Sequence, residues 1–466
     1  MHLHLEGKRG RFTGGGHKLL GMKRALLLIT ALVASLLSMA PAVAGTCDWD
    51  TDTGWVAREN AKAGSAKWDD GAPVRMGGDF SRRVELKRIE GWFGTTSAQC
   101  GQNVALRIVG GSKEIETKIS IYRMGYYGGA RARLISVEKT TGNLWKFKVT
   151  QSTPPGQYLF RLDADQRKTS FVPLVIRDAK SKSAITFVSS VLTWQMYNKW
   201  GGAALTFNRP YDGDGAGQFR YTEFPALYLA ERAGHEINYI TDLDLDSDPT
   251  ALRNAKSIVV GGRSEYWTVR MRGAMDASVD RGINLVALGA NTGFNRVTYD
   301  PKTRTISDVI KWRDPTVRKS ESQLLGSQFF AYGVKSDYTV KNAAQWPFDV
   351  LKQGERITGV VGRAVSAPSK NGKRVGVEIL AQSPPVGDAK IAAVATYYTR
   401  ESEAGILNIG TNGWVCAIDN KCPWGHTFSL KTGKQIASVT EAIFEGLTRG
   451  PLGKWRPATI DIPAQL

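Results

Sequence analysis

The chain has 466 residues, 42% of them hydrophobic and 23% charged, with 50 glycines, 13 tryptophans and four cysteines. That content supports roughly two to three packed domains and excludes a disordered chain, a collagen-like repeat and a small disulfide scaffold. Lysine and arginine outnumber the acids 62 to 43, but the positives are scattered rather than massed, so nothing indicates a nucleic-acid partner.

Met22-Lys23-Arg24, the apolar run Ala25 to Leu37 and the small residues Ala42-Val43-Ala44 have the three-part pattern of a secretory signal. The run is too short for a comfortable membrane span, and Pro41 follows it closely. Residues 1–44 are therefore read as a leader cleaved after Ala44, giving a secreted or periplasmic protein with no stable span after cleavage. What remains is still basic, which suits an acidic envelope ligand or polymer. All four cysteines follow the leader, an even number in an oxidising compartment. Cys47 with Cys100 and Cys416 with Cys422 is the favoured pairing, one bridge at each end of the chain. Their spacing does not suit a zinc site.

Residues 45–178 show period-two patterning. Val104 to Ile108, Lys118 to Tyr122, Leu144 to Val149 and Tyr158 to Leu162 read as strands separated by Gly-Gly, Thr-Gly-Asn and Pro-Pro-Gly turns. Short alternating strands at this spacing predict a β-sandwich. Ala179 to Ser183 is polar and small, a linker. From 183 to 450 the pattern becomes α/β. Ala184 to Ser189, Ile237 to Ile240, Ser257 to Gly261, Ile283 to Gly289 and Gly405 to Ile409 read as buried parallel strands. Helical faces carry Phe224, Leu227 and Tyr228, then Met271, Ala274, Met275 and Val279, and last Ile436, Val439, Ile443, Phe444 and Leu447. Residues from about 297 to 400 are harder to read. Lys390 to Tyr398 suggests an inserted or edge sheet.

Ligands bind at the carboxyl ends of the strands in such sheets, which directs attention to Leu192 to Gly202, Tyr239 to Asp248, Arg263 to Trp267, Asn291 to Asn295 and Asn412 to Trp414. Only His235 and His426 survive removal of the leader, which argues against Ser-His-Asp, Cys-His and multi-histidine metal chemistry. The strand ends offer oxygen instead, from the phenols Tyr197, Tyr211, Tyr239 and Tyr266 and from several carboxylates, and hard oxygen suits hard cations. Asp212-Gly213-Asp214-Gly215-Ala216-Gly217, with Glu223 at the twelfth position, nearly spells a calcium loop. Ala216 replaces a ligand there, however, and Pro210 forbids the preceding helix, so an ordered Asp/Gly turn is the competing reading. Asp242, Asp244, Asp246 and Asp248 either hold a cation or cap the helical turn begun by Pro249.

YRMGYYGGARA (Tyr122 to Ala132), TWQMYNKWGG (Thr193 to Gly202), FNRPYDGDGAGQF (Phe207 to Phe219), YITDLDL (Tyr239 to Leu245), RSEYW (Arg263 to Trp267) and LGANT (Leu288 to Thr292) occur in this order. Together they resemble the large (beta) subunit of N,N-dimethylformamidase and its relatives, over roughly residues 100 to 450. The resemblance implies a class I glutamine amidotransferase-like (flavodoxin-like) parallel α/β domain behind the sandwich, hydrolysis of an amide C–N bond, and one ferric ion, Fe(III), held by two tyrosines and a glutamate. Carried over, the glutamate is Glu265, the tyrosines are best matched by Tyr197 and Tyr239 with Tyr211 as a rival, and Asn291 stands beside the metal. It leaves open a homo-oligomer or a small partner subunit. Arg263 is a departure, since relatives carry histidine two positions before the glutamate. Guanidinium cannot act as a base, so Arg263 is read as binding an anionic group or neutralising a carboxylate. Two functions are then open to an exported chain: a metal-dependent amidohydrolase acting on a small linear amide, with Arg263 and Asn291 in the reaction site, or a non-catalytic envelope protein that binds an acidic ligand or polymer. An amidotransferase-type glutaminase finds no cysteine-histidine pair here.

Overall fold

The computed structural model describes residues 49, 51–70, 88–202, 204–368 and 376–460. The leader, its cleavage site at Ala44, and Cys47 lie outside the described residues. The described residues belong to one compact unit, Cys47–Leu466.

Period-two patterning builds two sheets in the first part of this unit. One has strand order β1-β3-β6, from Glu90–Phe93 (β1), Asn103–Val109 (β3) and Leu144–Lys148 (β6). The other has order β2-β8-β7-β4-β5, from Ser97–Ala98 (β2), Glu116–Met124 (β4), Ala132–Thr141 (β5), Gly156–Ala164 (β7) and Ser170–Ile176 (β8). Phe93, Leu106, Ile108 and Phe147 from the first sheet meet Ile119, Ile121, Phe160, Leu162, Val172 and Leu174 from the second in one apolar core, as a sandwich requires. Phe160 receives Phe93 edge-on at 4.7 Å and Phe147 at 5.0 Å between ring centroids.

Strands β7 and β8 do not show the alternating burial of a sheet with one wet face, because most of their residues are buried. The outer face of this sheet carries Met124, Leu159, Phe171 and Val175 into the core of the α/β part beside Phe187 and Val188. A polar cluster is sealed at the same junction. Arg123 on β4 makes a two-pronged contact with Glu231, 3.0 Å on each prong, and also donates to the Tyr127 hydroxyl at 2.9 Å. Asn60 donates to Glu231 at 2.8 Å, and Tyr127 donates to Glu59 at 2.9 Å. The YRMGYYGG string thus lies where the two parts of the unit meet.

The second part is a mixed nine-stranded sheet, β10-β9-β11-β13-β20-β19-β18-β16-β17. Ile185–Ser189 (β9), Ile237–Thr241 (β10), Ser257–Val260 (β11), Asn284–Ala287 (β13) and Gly405–Asn408 (β20) run parallel. Counted along the chain their order is second, first, third, fourth, fifth, one of the two common orders of doubly wound sheets. All residues of β9, β11, β13 and β20 are buried, which explains why these strands read as unbroken apolar runs. Gln328–Val340 (β16), Arg356–Ala367 (β17), Glu378–Val386 (β18) and Ile391–Thr399 (β19) extend the same sheet antiparallel. Most of the stretch from about 297 to 400 is thus inserted between the fourth and fifth parallel strands and forms one side of the same sheet, with β17 at its edge. A small sheet of Tyr266–Trp267 (β12), Asn295–Asp300 (β14) and Thr305–Lys311 (β15) sits after the parallel strands.

Helix Val269–Asp280 begins at Thr268, whose hydroxyl accepts from the Met271 amide at 3.2 Å. Helix Leu430–Leu447 begins at Ser429, which caps Thr432 at 3.1 Å, and buries Ile436, Val439, Ile443, Phe444 and Leu447 as the periodicity predicts. The Asp242 to Asp248 run is capping chemistry: Asp244 and Thr241 form a capping box, and Asp248 accepts from the Thr250 amide at 2.9 Å. Cys416 and Cys422 are bonded, with Cα atoms 4.9 Å apart. Cys100 is also in a disulfide.

Candidate active site

Strand β11 ends in Gly261-Gly262, and the chain then turns across the carboxyl rim of the sheet as Arg263 to Trp267. A Cβ on Gly261 or Gly262 would fall 3.0–3.1 Å from the Thr222 carbonyl, and the Gly262 amide donates to that oxygen at 2.6 Å. Thr193, in the helix Val191–Tyr197 that follows β9, fixes the next turn. Its hydroxyl accepts from the Glu265 amide at 2.9 Å and from the Tyr266 amide at 3.2 Å. These contacts aim the Glu265 side chain at Tyr197, one turn further along the same helix.

The Tyr197 hydroxyl donates to Glu265 Oε2, and Asn295 Nδ2 donates to Glu265 Oε1 at 3.1 Å. The Tyr197 and Tyr266 rings stand edge-on at 6.0 Å, and the Tyr266 hydroxyl also reaches Glu265. Asn291, in a left-handed turn at φ 63°, brings its side chain to the same carboxylate. Its Oδ1 is buried without a hydrogen-bond partner, as is Thr292 Oγ1. The Arg263 guanidinium carbon lies 3.8 Å from the centroid of the Tyr197 ring, and its one hydrogen bond among the described residues, to Gln218 Oε1, is long at 3.4 Å.

Burial raises the Glu265 carboxyl above its ordinary range. Burial, followed by the neighbouring carboxylate, raises Tyr197 and pushes Tyr266 up to about 12. Both phenols therefore keep their protons at neutral pH unless a cation displaces them.

Tyr197, Glu265, Asn291 and Arg263 are thus brought together. Tyr239, the other tyrosine expected beside Tyr197, does not join this group. It lies inside β10 rather than after it, is 1% exposed, and donates to Glu231 in the Arg123 junction cluster. Tyr211 packs edge-on against Trp194 at 6.1 Å. The three residues of the calcium-like loop do not converge either. Asp212 accepts from the Lys199 amide at 2.9 Å, Asp214 pairs with Arg220 at 2.9 Å, and Glu223 turns inward to the Ser190 amide at 2.9 Å. A Cβ at Gly215, where φ is 86°, would fall 2.0 Å from the Phe171 carbonyl, so the FNRPYDGDGAGQF string docks the α/β part on the sandwich. His235 precedes β10 at the opposite end of the strand, 4.0 Å from Glu445, and His426 bonds the Gly359 carbonyl at 3.2 Å.

Sequence reasoning assigned no role to Thr193 or Asn295. Asn295 was signalled by lying four residues after Asn291 in a rim segment, but Thr193 carries no signal beyond its helix. Among the described residues no three His, Cys, Asp or Glu side chains gather as a metal site. The oxygens that do gather are two phenols and one carboxylate, from Tyr197, Tyr266 and Glu265. By donor type this set fits a hard trivalent cation such as ferric iron, with Tyr266 in the place expected for Tyr239.

No curated protein matches the chain. Among solved structures, the "mmIFT52 N-terminal domain" aligns at 11% identity and TM-score 0.33, over 57% of this chain and 98% of that one. A cycloisomaltooligosaccharide glucanotransferase of Paenibacillus sp., solved with cycloisomaltoheptaose, aligns at 7% identity and TM-score 0.19, over 54% of this chain and 61% of that one. Scores this low carry no argument about fold or function. A family model does match, over residues 118–424, a span that includes every residue of the Glu265 cluster. The chain belongs to the family described as N,N-dimethylformamidase beta subunit-like, C-terminal.

Proposed function

We propose that the chain hydrolyses the C–N bond of a linear amide at the Glu265 cluster, as an exported metal-dependent enzyme with an amidotransferase-like α/β domain. Water adds across the bond, its oxygen going to the acyl carbon and its protons to the products, to give an acid and an amine. The observation that carries the reading is the Glu265 carboxylate held between Tyr197 and Asn295 on the strand rim, with Tyr266 alongside and the unpartnered Asn291 Oδ1 beside it.

Tyr197, Tyr266 and Glu265 would hold the cation, which supplies Lewis acidity toward the amide carbonyl and toward water. Asn295 orients the carboxylate through Oε1, and Thr193 holds the Glu265 and Tyr266 backbone in place. The positive charge of Arg263 over the Tyr197 ring favours its phenolate. The Cys416–Cys422 bridge supports an oxidising compartment, and the parallel strand order supports the amidotransferase-like reading.

Elemental analysis and visible absorption of the mature protein, together with turnover of a panel of small amides by wild type and Glu265→Ala, test the proposal. Stoichiometric iron with a phenolate charge-transfer band, and loss of both iron and turnover in the variant, are expected. Turnover that survives Glu265→Ala rejects this site.

A further inference from the structure

Arg263 is 7% exposed, and its guanidinium makes no ion pair with any described residue. Every other buried arginine among the described residues has a carboxylate or a backbone carbonyl as partner. Arg88 bonds the Thr169 carbonyl at 2.6 Å, Arg123 pairs with Glu231 at 3.0 Å, and Arg209 bonds the Trp200 carbonyl at 2.7 Å. Arg220 pairs with Asp214 at 2.9 Å, Arg272 with Asp276 at 3.1 Å and Arg456 with Glu378 at 2.6 Å. The remaining N–H groups of Arg263 are not sealed off as the orphaned Nε of Arg209 and Nη1 of Arg272 are. They are charged, pre-oriented by the Tyr197 ring, and open to a ligand. Glu265 feels their charge, but its own oxygens are taken by Tyr197 and Asn295.

We propose that Arg263 is the receptor for a carboxylate on the ligand, so that the substrate class is an amide whose nitrogen substituent ends in a carboxylate rather than a neutral amide. The planar fork of guanidinium matches a carboxylate with two parallel hydrogen bonds, and burial strengthens them. The inference rests on the hydrolase reading for the cleavage step, but not for the binding itself.

Titration calorimetry on the full mature chain tests it, with N-acetylglycine and its neutral methylamide as probes. The carboxylate should bind wild type roughly tenfold tighter or more. Arg263→Gln should abolish that preference, and Arg263→Lys, which keeps the charge but loses the fork, should retain part of it. Equal affinity of the two probes for wild type, no saturable binding of N-acetylglycine, or a preference that survives in Arg263→Gln overturns the proposal, and the wild-type comparison needs no variant to fold. Carboxylate preference in a protein that cleaves no amide upholds Arg263 and rejects the hydrolase. Cleavage of neutral amides without that preference does the reverse.

Discussion

The chain holds two buried clusters made of the same residue types. At the junction, Glu231 is shared by Arg123, Tyr239 and Asn60, and each prong of the guanidinium is matched. On the rim, Glu265 is shared by Tyr197, Tyr266 and Asn295, but Arg263 stacks on a ring and Asn291 Oδ1 has no partner. A satisfied network locks two layers together, whereas the rim cluster holds a buried guanidinium that none of the described carboxylates pairs. Composition does not distinguish them; wiring does.

Removing a carboxylate from each cluster is the strongest way to break this comparison. Glu231→Ala leaves Arg123 buried and unpaired, and denaturant unfolding should show a loss of about 3–5 kcal/mol. Glu265→Gln keeps the shape of the side chain, so unfolding should change by less than half as much while amide turnover falls by at least about a hundredfold. Comparable stability losses at the two sites would mean that both clusters are structural.

Glu223 tests the floor of the rim. Burial pushes its carboxyl up to about 8 from 4.5, although the Ser190 amide and the Trp194 indole donate to it. A raised folded pKa favours the native state fully below about pH 4.5, and that contribution is lost as pH rises through about 8. Melting temperature should therefore fall over this interval, and Glu223→Gln should flatten the slope. Some slope should persist in that variant, because burial raises the nearby Asp242 in the same sense. A slope unchanged by the substitution would show that Glu223 is ionised in the folded protein.

The smallest effects should come from the phenols. Tyr239→Phe leaves Glu231 short of one donor, at a cost of about 1–2 kcal/mol, and should not alter the visible spectrum of the iron-loaded protein. Tyr197→Phe should weaken the charge-transfer band instead. A band lost with Tyr239 and kept without Tyr197 would reverse the assignment.

Much of the architecture was legible in one dimension. Period-two stretches became the sandwich, unbroken apolar runs became parallel strands, and Ile436 to Leu447 named its helix face, because burial selects side chains at the period of the element that carries them. Of the long antiparallel strands, Ile391–Thr399 was legible, but Gln328–Val340, Arg356–Ala367 and Glu378–Val386 were not. Their register slips repeatedly, between Phe329 and Ala331 and between Gln382 and Pro385 among others, and each slip breaks the alternation.

For the candidate site, the residues themselves determined that oxygen chemistry was available, that histidine chemistry was not, and that Glu265, Tyr197 and Asn291 follow strands meeting at one rim. Only the tertiary structure decided between tyrosines. Tyr239 lies inside a strand and turns toward the sandwich, where Arg123 and Glu231 arrive from elements far apart in sequence. Packing likewise left Arg263 without an ion pair among the described residues, since a guanidinium's partners are chosen by the fold and not by its neighbours along the chain.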